Sequence, residues 1–546
     1  MAGNTPIFRR PAFLAGVIAL AAVATGFALY LGLSGRESVI LAQGEVYSEA
    51  VTGTWQRVNP LYAGTNDVDA DLSQLVFSGL VRLGPDGQMQ GDLAELPQLT
   101  DEGRTYTFKL KKDLVWTDGR PLTAADVEFT VRRLRAADFR GDQSLAEGWL
   151  GVEVSTPDPA TVVIKLKQAS APFLARNATL GILPEHLLGG LSEAELFDAP
   201  FNAQPVGSGP FKVAALDSRE ARLVANESYH LGSPGLSEIR LRFYPDYSSA
   251  LRALQSGDVN GYMPRETLLP AQISELRKAR GVKVDDLTRS VYNVLYLNNA
   301  QAALFQDPTV RRALNLALDR DILANRVFGG AEAPSSLPVT PGTWAYSAAH
   351  DATQVNVEEA KKLLDQAGWK THPTTGILVK DGGEFRFTIR TDNDPARVRL
   401  ATEVAAQLEP FGIRATVAST TFAVLRRDFL QERQYEAALA GWDQGADPDP
   451  YFGWHSSQMG TAGLNLANFE DTVSDELIAK GRTTSDVEVR KDAYQQFQDV
   501  WSEQAPSVIL GYPKFLYAHT ESLKGVTKGV LFTAAQRFYD VQKWRG

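Results

Sequence analysis

Apolar and polar residues alternate strictly over Thr105-Tyr106-Thr107-Phe108-Lys109-Leu110-Lys111, which sets Tyr106, Phe108 and Leu110 on one face of a half-buried strand. The period then changes. Thr123 to Asp126 has the form of a capping box, and Val127, Thr130, Val131 and Leu134 follow at helical spacing, so a helix is predicted to begin there. Two more helices are marked by their ends. Asp307-Pro308 supplies an N-cap and a first-position proline ahead of an apolar face made by Val310, Ala313, Leu314, Ala317 and Leu318. Asn356 caps the other, Ala360, Leu363, Leu364 and Ala367 line its buried side, Gly368 ends it, and Trp369 is expected to pack. Val291 to Leu297 alternates again and runs into Asn298-Asn299. With no repeat at solenoid periods and turn residues throughout, the pattern is mixed α and β.

The longest apolar run lies at the start. Arg9 and Arg10 precede an uncharged stretch from Pro11 to Gly35. At about 1.5 Å per residue, positions 11–33 cover the roughly 30 Å of a bilayer's hydrocarbon, and the preceding positive charge places residues 1–10 in the cytoplasm. The competing reading is a cleaved signal peptide, whose apolar region is usually only about 7–15 residues long. Ala22-Val23-Ala24 fits a cleavage pattern but lies in mid-run, so a transmembrane anchor or uncleaved signal at 11–33 is the expectation. On either reading, the chain from about residue 44 onward works outside the cytoplasmic membrane.

At 546 residues the chain exceeds one ordinary core, and domains of about 100–200 residues imply roughly three. A net charge of −10 with scattered Lys and Arg leaves no basic stripe, so no nucleic-acid partner is expected. The absence of Cys excludes disulfides, thiolate metal sites, a Cys nucleophile and a lipid-bearing Cys, so any tether must be a peptide segment. The six His are dispersed, with no H-E-x-x-H pair to seat zinc and no G-x-S-x-G elbow elsewhere in the chain. A hydrolase built on two carboxylates stays a remote alternative. There is no phosphate-binding G-x-x-x-x-G-K-[S/T], so any ATP hydrolysis belongs to partners. No cofactor or resident metal is expected.

The stretch from Asp101 to Asp113, running on through Trp116-Thr117-Asp118-Gly119-Arg120-Pro121 to Val127, resembles the signature of the peptide/nickel-type solute-binding proteins of ABC importers. Pro205 to Phe211, Asp307 to Arg320, Glu358 to Trp369, and Ala440-Gly441-Trp442 with Asp447-Pro448-Asp449-Pro450 resemble the same family in the same order. The resemblance implies an α/β, two-lobed periplasmic-binding-protein-like fold with an extra inserted domain. Lobe I would comprise 44–59, 204–298 and 505–546, the inserted domain 60–203, and lobe II 299–504. The crossings between lobes would lie near Tyr296 to Asn299 and Ser507 to Leu510. It also implies a function. The chain would be an extracytoplasmic, monomeric receptor, not an enzyme, that takes di- or oligopeptides into the cleft and delivers them to permease subunits driven by cytoplasmic ATPase subunits. A metal chelate, a sugar or an opine-like solute is the alternative ligand on the same fold, and ligand sensing without transport would use the same cleft.

In peptide-binding members, an Asp three positions after the Trp of the Gly-Trp block pairs with the ligand's amine, and here that position is Gly445. The nearby acids are Asp443, Asp447 and Asp449. Asp447 ranks ahead of Asp443 because Pro448 and Pro450 would hold its loop in one shape, against the plainer reading of turn-forming Asp-Pro pairs. Trp442 offers a ring to cover an extended ligand and an N–H to donate, against a place in the core. Asn298 and Asn299, at a strand's end beside a crossing, either reach the cleft or form a turn. Tyr451, Phe452 and Trp454 either line side-chain pockets or pack. Gly207-Ser208-Gly209-Pro210 is expected to be a structural re-entry into the core lobe rather than an anion cradle.

Overall fold

The signature folds as read. In the computed structural model, which describes residues 45–546, the alternating segment is the strand Thr105–Lys109, with Tyr106 and Phe108 buried. It lies in a four-stranded sheet between Gln98–Thr100 and Thr161–Lys165, with Glu153–Asp158 beyond. The helix Ala124–Leu134 follows, and the Asp126 carboxylate accepts from the Thr123 N–H at 2.9 Å, the reach-back half of a capping box. Asp118 accepts from the Arg120 N–H, and Gly119 has φ +85°, which tightens the turn between them. The core of this region is continuous with that of the first lobe. Tyr106, Phe129 and Trp149 share one apolar cluster with Tyr47, Leu241 and Trp544.

One twelve-stranded sheet runs through the rest of the molecule. Its strands are β1 (Glu45–Thr52), β2 (Phe211–Leu216), β3 (Glu220–Ala225), β4 (Leu236–Tyr244), β5 (Gly261–Tyr262), β6 (Val282–Thr288), β7 (Val291–Leu297), β8 (Arg386–Asp392), β9 (Arg414–Thr420), β10 (Ala437–Asp443) and β11 (Ser507–Thr520), with the short strand Glu332–Ala333 added on β11. The order is β9-β8-β10-β7-β11-β5-β1-β4-β3-β2, with β6 also on β11. β11 joins the halves. Its residues from Ser507 to Gly511 pair with β7, and those from Lys514 to Thr520 pair with β6.

The chain passes from β6 to β7 at residues 289–290, and β11 changes partner between residues 511 and 514, a few residues from the crossings expected near Tyr296 to Asn299 and Ser507 to Leu510. Local alternation marks a strand but not the strand it pairs with. β7 is antiparallel to β10 over its whole length, and both are covered on two faces. Leu295, Leu297, Ala437 and Leu439 pack on one side against the helices Pro308–Ala317 and Pro395–Leu408, while Tyr292, Tyr296, Ala438 and Ala440 pack on the other against Trp501.

The predicted caps are present. Asp307 accepts from the Thr309 N–H at 2.8 Å, Asn356 accepts from the Glu359 N–H at 3.0 Å, and Trp369 packs on Phe385. The Gly207–Pro210 segment re-enters the first lobe against the C-terminal turn of the helix Asp67–Val76. A Cβ on Gly207 would come within 2.0 Å of the Val76 carbonyl oxygen, and the Gly209 N–H bonds that oxygen at 2.8 Å. Close backbone approach is what these glycines allow. The apolar run at 11–33 lies outside the described residues. Among the described residues no helix is long and apolar enough to cross a membrane.

Candidate functional site

The register between β7 and β10 sorts their side chains. Val291 lies opposite Asp443 and Asn293 opposite Gly441, while Tyr292 lies opposite Trp442. With a side-chain period of two, the first four point one way and the last two the other. Val291, Asn293, Gly441 and Asp443 line a cavity of about 500 Å³ where the lobes join, within the size range of small-ligand sites. The first lobe contributes the segment after β5, including Arg265 and Leu268. The crossings contribute Arg289 and the run from Pro513 to Leu516. From the second lobe come Phe422, which is exposed, and the first turn of the helix Pro395–Leu408.

The charges on this wall differ in how far they are committed. Arg397 is paired with Asp392 at 2.8 Å, and Lys514 stands 3.6 Å from Asp286. Arg265 donates one arm to Asp71 at 2.5 Å, while its Nη1, also buried, meets no acceptor among the described residues. Arg289 lies over the Phe515 ring at 4.5 Å and forms no ion pair among the described residues. Desolvation lowers its pKa, only partly offset by Asp443 and Asp67. Asp443 is exposed, and its Oδ1 accepts from the Gly445 N–H at 2.8 Å. Gly445 itself sits at φ +73°, the left-handed conformation that glycine adopts without strain.

One strand away, Glu332 is buried. Asn293 Nδ2 donates to its Oε1 at 2.7 Å, and Oε2 has no partner among the described residues. Burial raises its pKa to about 7 against the opposing pull of Asn293 and Lys514. Gly511 makes room for it, since a Cβ there would lie 2.8 Å from Glu332 Cγ.

The other expected residues are placed elsewhere. Asp447 does not face this cavity. It is buried in an ion pair with Arg490 at 2.6 Å, and its Oδ1 also caps the Asp449 N–H, so of the two acids Asp443 alone lines this cavity. The prolines do hold the loop, but into the protein. Asp449 is bonded by Arg482, with Arg176 of the inserted domain 4.0 Å away. Trp442 lies on the opposite face from Asp443, half-buried against the cluster around Tyr292 and edged by Gly453. Trp454 is core, with its Nε1 donating to Tyr292 Oη at 3.0 Å and its ring against Trp501. Tyr451 is half-buried beneath the Arg482 guanidinium, at 4.2 Å. Phe452, under Arg176 and Arg482, belongs to the same packing.

Asn298 and Asn299 do not reach the cavity either. Asn298 donates to the carbonyls of Arg433 and Tyr435, and Asn299 to those of Leu297 and Pro506, at the far end of β7. They tie the second lobe's turns together. Arg265, Arg289 and Phe422 line the cavity without being singled out in the sequence, and Glu332 accepts from the lining residue Asn293. Only Arg289-Ser290 carried a signal, as the break between two strand-like runs. Among the described residues no three His, Asp or Glu side chains converge where a metal ion would sit.

Comparisons agree with this architecture. Residues 88–463 match the family model described as bacterial extracellular solute-binding proteins, family 5 middle. Oligopeptide-binding protein AppA of Bacillus subtilis (strain 168) is 30% identical over 495 residues, 89% of each chain. Among solved structures, AppA from Bacillus subtilis in complex with a nonapeptide aligns with TM-score 0.63 at 29% identity, covering 92% of this chain and 99% of that one. NikZ from Campylobacter jejuni in complex with Ni(L-His) aligns with TM-score 0.66 at 25% identity, with the same coverage.

Proposed function

Because the chain belongs to the bacterial extracellular solute-binding proteins of family 5, we propose that it is the ligand-capturing receptor of an ABC importer, taking peptides into the inter-lobe cavity and handing them to a permease. The observation that carries this reading is the cavity between the lobes, whose walls combine the uncommitted carboxylate of Asp443, exposed Phe422 and backbone at Gly441. Those are the contacts an extended peptide needs: an anion for its amine, apolar surface for a side chain, and close approach to a strand end. Asp443 takes the amine role that the family pattern would give to position 445. The similarity to an oligopeptide-binding relative favours peptides over other solutes. Closing two lobes on a guest requires that the guest bind the closed arrangement better than the open one. No chemical step is needed, and the receptor works as a monomer without turnover. The apolar run at 11–33 holds it at the membrane, where its effective concentration near the permease is raised.

The test is native mass spectrometry of the purified full chain for retained ligand. A ladder of peptides is the expected result; a single chelate or opine-like solute would overturn the peptide reading. Asp443→Asn should weaken free-amine tripeptides about tenfold relative to N-acetylated ones, the size of a lost charge-assisted hydrogen bond. Equal weakening of both pools removes Asp443 from the amine role. Deleting residues 11–33 should move the chain from the membrane fraction to the soluble fraction.

A further inference from the structure

We propose that Glu332 is a specificity-setting residue for the inter-lobe cavity: by fixing which half of the Asn293 amide faces inward, it decides whether the wall offers a ligand a hydrogen-bond acceptor or a donor there. The inference rests on the reading that this cavity takes the solute, and it adds how one contact to that solute is set.

The sheet holds both residues in place. Asn293 pairs with Gly441 on one side and Gly511 on the other, and it lines the cavity. Glu332 comes in behind it on the short strand Glu332–Ala333, which pairs with Pro513 and Tyr512. A Cβ on Gly511 would lie 2.8 Å from Glu332 Cγ, so the bare backbone there is what lets the carboxyl reach Asn293. Glu332 is 2% exposed and is not part of the cavity wall. Whatever it does to a ligand therefore passes through Asn293, and Glu332 acts as a positioning residue.

A carboxylate only accepts hydrogen bonds, so an ionised Glu332 must face the Asn293 N–H. That is the arrangement in the structure. Nδ2 donates to Oε1 at 2.7 Å, and the amide oxygen is the atom left for the cavity. A protonated Glu332 instead carries an O–H donor. Its Oε2 has no partner among the described residues, so the acceptor that the O–H can take is Asn293 Oδ1, and satisfying it turns the amide round, with Nδ2 toward the cavity. Burial brings the carboxyl's pKa to about 7, so both arrangements are populated near neutrality. The charges around it are committed elsewhere. Lys514 on β11, which pulls against the shift, has its Nζ 3.4 Å from the Gly330 carbonyl and 3.6 Å from Asp286. The Tyr512 hydroxyl donates to the Leu337 carbonyl at 2.9 Å. Arg320, the buried charge on the helix Arg320–Phe328 that packs against this strand, donates to the Ile509 carbonyl at 2.8 Å. β7 carries no charged side chain.

The experiment uses the full chain and two tripeptide pools of identical sequence with free ends, one ordinary and one methylated at its internal amide nitrogens, which removes their N–H donors. Both are titrated calorimetrically at pH 5.5 and pH 8.5. The ratio of ordinary to methylated affinity is taken at each pH, so that titration of the ligands' own ends cancels. At the higher pH the wall presents an acceptor that only the ordinary pool can use. The ratio should therefore rise about threefold or more from pH 5.5 to pH 8.5, within the span of a neutral hydrogen bond. Glu332→Gln, which does not titrate, should hold the ratio constant. Asn293→Ala should also hold it constant, although its carboxyl is untouched, because the amide that relays the change is gone. A wild-type ratio equal at both pH values, or one that still climbs in either variant, overturns the assignment and leaves the receptor function intact. If neither pool binds, the peptide reading fails, and this inference fails with it.

Discussion

Asp443, at the end of β10, and Asp447, in the loop that follows, are four residues apart, yet they belong to opposite kinds of charge cluster. Asp447 faces Arg490 with both side chains less than a tenth exposed, and next to it Asp449 is bonded by Arg482 with Arg176 near by. In that clasp between the second lobe and the inserted domain, every acid has its cation. In the cavity, Asp443, Arg289 and one arm of Arg265 have no ion partner among the described residues. The difference separates structure from site. Removing charges from water is costly, and a pair offsets that cost only while both members are present. A saturated cluster therefore holds shape, whereas unsaturated groups gathered around a cavity hold a place for a guest.

The contrast breaks most visibly at Asp447. Asp447→Asn leaves Arg490 buried without its partner and should cost about 3–5 kcal/mol in urea unfolding, with the affinity of the folded protein for free-amine peptides unchanged. Asp447→Leu combined with Arg490→Met should recover most of that loss, because replacing both partners by apolar groups avoids the stranded charge. A stable Asp447→Asn chain with weakened peptide binding would put the ligand's amine at the clasp after all.

Glu332 is the intermediate case, a buried acid with one oxygen satisfied. Its pKa in the folded chain is about 7, against an ordinary value of 4.5, so folding favours its protonated form. The stabilisation from that proton is fully present below about pH 4.5 and is lost as pH rises toward 7. The shift corresponds to on the order of 3 kcal/mol at about 1.4 kcal/mol per unit. Glu332→Gln stays neutral at every pH. The stability of the wild-type chain minus that of Glu332→Gln should therefore fall by that amount between pH 4 and pH 8, measured by chemical unfolding at each pH. A flat difference would mean that the carboxyl is ionised and solvated.

How much of this could be read in the chain follows from the range of each interaction. Helix ends were legible because Asp307, Asn356 and Asp126 bond backbone groups two or three residues away. The signature strand was legible because its alternation is local. The strand partners were not legible, because Asn293 pairs with Gly441 and with Gly511, which no local pattern names. The same limit hid the site. Arg490 lies 43 residues from Asp447, and Arg265 lies 194 from Asp71. Prolines flanking an acid show that the loop is rigid, but only the fold shows whether it is rigid toward the cavity or toward the core.

The smallest expected change in stability is at Asp443. Its carboxylate is exposed and bonds only the Gly445 N–H among the described residues, an acceptor role that an Asn side-chain oxygen keeps. Asp443→Asn should therefore stay within about 0.5 kcal/mol of the parent, as surface changes away from buried networks do. The affinity for a free-amine peptide should fall while that for its N-acetylated counterpart holds. That selective loss is specific to an amine contact in the cavity. If Asp443→Asn instead unfolds the chain by several kcal/mol, as Asp447→Asn is expected to do, the distinction between the committed clasp and the open site does not hold.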